Sequence, residues 1–157
     1  MVARTYYGLG PPHVAVAAFE KLTPYVVELL ALQGECKPMG PDYMAVGVAL
    51  DGLQTAAFHF TRRPHFYHQL DAERPAYREG ANNRLADHDA AVTAFERLTP
   101  YADALGRLRS GCRPFGRDYM AVLIAQQSLD TAAFHFTRIA HFYGAKADSA
   151  GPLGPSR

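Results

Sequence analysis

Thr55, His59 and Arg62 follow one another at spacings of four and three, and the same three types return 76 positions later as Thr131, His135 and Arg138. On a helix that spacing lines up a hydroxyl, an imidazole and a guanidinium along one stripe. Such a stripe suits a carboxylate or a phosphate, with the arginine as the bidentate partner. His65 and His141 stand three positions beyond each arginine. The ligand-binding candidates are therefore Thr55, His59, Arg62, His65, Thr131, His135, Arg138 and His141. The same residue types also have a structural use, because cationic side chains near a helix C-terminus complement its dipole and bond its last carbonyls.

Two other chemistries compete for these positions. His59, His65, His135 and His141, with His68 nearby, would offer imidazoles to a transition metal or haem if they gathered at one end of the molecule. Their spacing argues weakly for it, since His59 and His65 are six apart and do not share a helix face. Cys36 and Cys112 occupy matching places and lack a Cys-x-x-Cys partner, which excludes a disulfide scaffold and a structural zinc site of the usual spacing. They read as free thiols or, if they meet, as the pair of a thiol redox protein. A thiol–imidazole pair within one half is distant, because a helix of about 17 residues holds Cys36 and His59 roughly 25 Å apart. No glycine-rich phosphate loop, paired-carboxylate helix motif or serine elbow accompanies these residues. No catalytic residue is assigned, the expectation leans away from an enzyme, and no cofactor is expected outside the metal or haem alternative.

The elements that must position these groups come from a longer likeness. Residues 14–69 align with 90–145 without a gap, about 32 of 56 positions being identical, with an unbroken match from Thr55–Arg62 to Thr131–Arg138. The chain reads as a tandem duplication. Phe19, Leu22, Val26 and Leu29 recur with helical period, as do Phe95, Leu98, Ala102 and Leu105. Pro24 and Pro100 interrupt both runs, and because the stripe keeps its phase across them one kinked helix is expected in each half. Gly34 and Ser110-Gly111 mark its end. Asp42 and Asp118 are expected to cap the next helix, and Asp89 the third.

Asp51-Gly52 between two apolar runs is a hairpin signal, but Gln127-Ser128 at the matching place is not. Val46, Ala49, Leu53, Ala57 and Phe60 share one sector of a helical wheel, so helix is the expected state in both halves. The second helix ends near Arg62 or Arg63, before Pro64. The fold class is thus all-α, an internally duplicated four-helix bundle made of two helical hairpins with pseudo-twofold symmetry. The alternative is α+β, each repeat being a helix plus a β-hairpin. Alanines at 45, 49, 56 and 57 and their copies let the second and fourth helices approach closely, and Phe58, Phe60 and Phe66 with their copies are expected in the core. The segments are an irregular lead over 1–12, repeat one over 13–67, a charged connector over 68–88, repeat two over 89–144 and a disordered tail over 145–157.

Composition narrows the function classes. With 157 residues, 48% of them hydrophobic and 20% charged, the chain can bury a core. A net charge of +1 gives no electrostatic footprint for nucleic acid or an anionic membrane. The run Tyr43 to Leu50 is too short to span a bilayer, and Met1 to Gly8 lacks the apolar centre of a secretory signal, so a cytoplasmic location is expected. The expected function is a non-catalytic binding or accessory module that recognises a small anionic ligand or a partner protein, with a homodimer compatible with its symmetry.

Overall fold

A computed structural model describes residues 9–80 and 83–144. Its elements are α1 (Pro12–Glu20), α2 (Thr23–Gly34), α3 (Pro41–Thr61), a 3₁₀ segment (His68–Glu73), α4 (His88–Glu96), α5 (Thr99–Ser110) and α6 (Arg117–Thr137). Among the described residues there is no strand. The protein is all-helical, and α3 runs unbroken through Asp51-Gly52, which removes the hairpin alternative. Each helix of the second half starts and stops 76 positions after its counterpart in the first. The tail expected to be disordered and the first eight residues of the expected lead lie outside the described residues.

Where one kinked helix was expected in each half, there are two. Pro24 has no N–H to give to Glu20, so the chain turns at Lys21 and Leu22 and starts again, with Tyr25 N–H donating to the Leu22 carbonyl at 3.0 Å. Thr99-Pro100 does the same, with Tyr101 N–H on the Leu98 carbonyl at 3.0 Å. The expected caps also move. Gly40 and Gly116, in extended conformation, precede α3 and α6, so Asp42 and Asp118 lie inside the first turn and cap nothing. The helix starts earlier than expected because Met39 and Phe115 turn the chain at positive φ just before each glycine. Asp87, not Asp89, caps α4, its carboxylate accepting from Ala90 N–H at 3.0 Å.

Both long helices end alike. Arg62 (φ 60) and Arg138 (φ 59) take the left-handed conformation, and their N–H groups bond the Phe58 and Phe134 carbonyls. Thr61 and Thr137 are buried there, each donating to the carbonyl four residues back at 2.7 Å and accepting the N–H two residues on at 3.2 Å. The chain then turns again at His65 (φ 55) and His141 (φ 53). That second turn carries Tyr67 and Tyr143 back to α1 and α4, where their hydroxyls donate to the Phe19 and Phe95 carbonyls. These carbonyls also accept the Leu22 and Leu98 N–H groups at 3.1 and 3.0 Å, so each tyrosine is a second donor to an oxygen with two lone pairs.

The α3 and α6 helices form the central pair, with α1 and α2 packed on α3 and α4 and α5 on α6. They run antiparallel: the C-terminal His59 of α3 meets the N-terminal Asp118 of α6, and His135 meets Asp42. Close approach needs small residues, and Ala49, Gly52, Ala56, Ala125, Ser128 and Ala132 are all buried. At the crossing, a Cβ on Gly52 would stand 2.1 Å from Ser128 Oγ, so this glycine is a requirement of packing. Phe19 stacks on Phe60 at 5.7 Å and Phe95 on Phe136 at 5.6 Å, as expected of core phenylalanines. Phe58 and Phe134 are the exception. They are nearly half exposed, on the outer face of the central pair with Met44, Val48, Met120 and Ile124.

Candidate functional site

The antiparallel central pair decides what the polar residues common to both halves can do together. His59 Nε2 lies 2.8 Å from Asp118 Oδ1, and His135 Nε2 lies 2.8 Å from Asp42 Oδ1. These two reciprocal pairs close the two ends of the α3/α6 contact, about 25 Å apart along α3. Each ring also meets the edge of the next phenylalanine, at 4.8 Å for Phe60 and 4.7 Å for Phe136. Two histidines of the proposed stripe are thus engaged with the carboxylates that were expected to be caps.

The rest of the stripe is local. Thr55 is exposed and donates to the Asp51 carbonyl at 2.9 Å. Arg62 is exposed at its left-handed position, and Arg138 lies over the Phe134 ring at 5.6 Å. His65 faces His68 at 5.9 Å between rings. His59, His65, His135 and His141 do not gather, since His59 and His135 belong to opposite ends. Among the described residues no group of three or more His, Cys, Asp or Glu side chains is placed to hold a metal ion.

The thiols are likewise separated. Cys36 precedes the Asp42 end of α3 and Cys112 the Asp118 end of α6, and these ends are remote from each other. Both thiols are buried and donate to carbonyls four residues back, Leu32 at 3.4 Å and Leu108 at 3.3 Å. Burial, with Asp42 and Glu35 adding to it, pushes the Cys36 thiol up to about 12. Cys112 is raised as well, by burial and then by Asp118. A thiol held protonated is a poor nucleophile.

Concave surface lies elsewhere, in a groove beside each long helix. In the first half a cavity of about 220 Å³ is lined by α2, α3 and the 3₁₀ segment. In the second half a groove of about 890 Å³ lies between α5 and α6. Eleven of the thirteen residues lining the first have their counterpart, 76 positions on, lining the second. The two that do not are Asp71 and Arg74, whose counterparts Ala147 and Ala150 lie outside the described residues.

The chain itself occupies the first groove. Arg74 Nε donates to Gln33 Oε1 at 2.8 Å, and Gln33 Nε2 donates in turn to the Tyr43 carbonyl at 3.2 Å. Gln54 Oε1 accepts Tyr67 N–H at 3.1 Å. Beyond the groove Pro75 lies against Gly34, where a Cβ would come within 2.5 Å of the Pro75 carbonyl oxygen. Arg84 then ties the connector to α2 through Glu28 at 2.8 Å and Glu35 at 2.6 Å.

The second groove is built from the same positions with different residues. Val26 and Leu30 become Ala102 and Gly106, which widens it. Gln33 becomes Arg109, whose guanidinium lies 5.5 Å from the Tyr119 ring centre. Gln54 becomes Asp130, which accepts Tyr143 N–H at 3.4 Å and whose carboxyl is raised by burial, against the opposing pull of that hydrogen bond and of His141. Leu50 becomes Gln126, whose buried Oε1 has no hydrogen-bond partner among the described residues. The groove is therefore basic at the Arg107 and Arg109 end and acidic at the Asp103 and Asp130 end, with an unsatisfied acceptor between.

Gln33, Arg74, Arg109, Gln126 and Asp130 were not among the sequence candidates. The signal that could have found them is the converse of the one used: positions where the two halves differ in polarity, rather than those where they agree. Compared with known proteins, the chain matches no family model, no curated protein and no solved structure.

Proposed function

We propose that the chain is a fused pair of copies of one helical unit, a four-helix bundle in which α1–α2 and α4–α5 each count as one broken rod, and that it works as a non-catalytic binding module. The two copies divide the work. The first groove is closed by the connector and gives rigidity, while the second receives a segment of a partner protein. The observation that carries this reading is the equivalence of the two grooves: the same positions line both, and in the first a short stretch of chain already sits there. A volume of about 890 Å³ lies within the range of ligand-binding clefts. Two contacts between equivalent positions support the pseudo-twofold arrangement, Gly52 against Ser128 and the rings of Tyr25 and Tyr101 stacked at 5.5 Å and 16°. A position meets its own copy only near a twofold axis.

The test is a two-dimensional NMR titration of the full chain with a pool of short synthetic peptides that together contain all amino-acid types. Perturbed amides are expected at Gly106, Leu123, Gln127 and Thr131. The variant Ala102→Val/Gly106→Leu, which installs the first half's residues, should lose the response while keeping its fold. A Cβ at Gly106 meets only Gln126 Nε2, at 3.7 Å, an ordinary contact. Perturbation that persists in this variant, or that falls elsewhere, counts against the groove.

A further inference from the structure

The first half of the molecule shows how a stretch of chain lies in such a groove. Its groove holds a 3₁₀ segment whose guanidinium, Arg74, ends on the acceptor Gln33 at 2.8 Å. In the second half Arg109 stands in place of Gln33, so the group at that end of the groove is now a fixed cation with five donors. Arg107 adds a second positive charge beside it. An arginine like Arg74 is repelled there, and a carboxylate is attracted. Further along, the buried Gln126 Oε1 acceptor has no partner among the described residues, and a peptide N–H would satisfy it. At the far end Asp103 and Asp130 favour a donor or a positive charge.

We propose that the second groove takes an acidic peptide segment of a partner protein, laid in as residues 68–74 lie in the first, with a carboxylate on Arg109 where the first half has a guanidinium on Gln33. This rests on the groove being a binding site and goes beyond it by assigning the charge and direction of the occupant. The end entering near Asp130 carries N–H donors or a positive group, and the carboxylate follows about six residues later, the spacing from His68 to Arg74. At the places of Asp71 and Arg74 the sequence of the second half has alanines, Ala147 and Ala150, which carry neither charge. A bidentate arginine–carboxylate pair at the rim of a groove also makes binding sensitive to salt.

Two synthetic nonapeptides test this on the full chain: one with the sequence of residues 68–76, and the same peptide with Arg74→Glu. By NMR titration the Arg74→Glu peptide is expected to perturb Gly106, Leu123 and Gln127 and to bind at least about tenfold more tightly than the unmodified one, a difference that shrinks in high salt. In the protein variant Arg109→Gln, which copies the first half and should fold as the parent does, the order of the two peptides is expected to reverse. Equal binding of both peptides, or an order unchanged by Arg109→Gln, overturns the acidic assignment while leaving the groove as a binding site. No perturbation of the second groove by either peptide overturns the binding-site reading itself, as does perturbation confined to the first groove.

Discussion

The two grooves are lined by the same positions and differ in what has been put into them. In the first, Leu30 and Val26 narrow the space, Gln33 and Gln54 accept from Arg74 Nε and Tyr67 N–H of the chain that follows α3, and Gly34 lets Pro75 lie flat against α2. In the second, Gly106 and Ala102 leave room, Arg109 and Asp130 put opposite charges at the two ends, and Gln126 keeps an unused acceptor. The contrast is the basis of the proposed division, in which the first groove serves stability and the second binding. The central pair is the reverse case, for there both halves need small residues where they touch, Gly52 on one side and Ser128 on the other.

That requirement gives the largest effect. Gly52→Ala drives a methyl to 2.1 Å from Ser128 Oγ and 2.7 Å from its Cβ, with the Ile124 carbonyl at 3.3 Å behind. Overpacking of this kind should cost about 1–3 kcal/mol, read as a lower midpoint of urea unfolding. The exchange Gly52→Ser with Ser128→Gly should recover most of it, because under the proposed pseudo-twofold arrangement each residue then occupies its counterpart's place. If the exchange is as damaging as Gly52→Ala, the two places are not equivalent and the symmetry argument fails.

The next effect separates the grooves. Gly34→Ala places a methyl 2.5 Å from the Pro75 carbonyl oxygen and 2.7 Å from its ring, so the connector must lift. The expected cost is about 1–2 kcal/mol, with faster amide hydrogen exchange over residues 68–76. Ser110→Ala, at the matching place, removes only a local bond to the Arg107 carbonyl and should stay within about 0.5 kcal/mol. Equal costs would mean that the connector is not what distinguishes the halves.

How much of this could be read in the chain beforehand depends on which residues carried it. Helix was legible because two versions of the Asp51-Gly52 stretch could be compared, and Gln127-Ser128 removed the hairpin. The apolar sector from Val46 to Phe60 was legible from its period. The break at Thr23-Pro24 was not, because Phe19, Leu22, Val26 and Leu29 are all buried on either side of it and so keep their period through a turn. The partners of His59 and His135 were hidden for a different reason. Asp42 and Asp118 sit where a cap is common, and only the antiparallel placing of α3 against α6 brings each to the other half's histidine. The grooves were not legible because their distinctive residues differ between the halves, Gln33 against Arg109 and Gln54 against Asp130, whereas the candidates were residues present in both.

A smaller effect tests the charge of the second groove. Burial raises the Asp130 carboxyl above its ordinary range, so in the window between its unfolded and folded values the folded chain binds the extra proton. Stability from this group therefore falls as pH rises through that window, and the ionised form is the costly one at neutral pH. Asp130→Gln, the first half's residue, should stabilise by a few tenths of a kcal/mol, a modest value because the site is partly wet and screened. The gain should be present at pH 7 and vanish in mild acid, where the wild-type carboxyl is protonated too. A pH-independent gain would point to side-chain packing instead.

The smallest difference concerns the two arginines that end the long helices. Both occupy left-handed positions that glycine adopts without strain, so Arg62→Gly and Arg138→Gly should each gain up to about 1 kcal/mol from relief at that residue. They are not equal, since Arg138 also lies over the Phe134 ring at 5.6 Å, a contact worth about 0.5–1 kcal/mol at an exposed site. Arg62→Gly is expected to raise stability by several tenths of a kcal/mol more than Arg138→Gly. Adding Phe134→Leu to both Arg138 forms should close that gap, because the ring contact is then absent from the reference as well. A gap that survives the leucine has another origin, and the arginines would then differ through the residues that follow them, Arg63-Pro64 in one half and Ile139-Ala140 in the other.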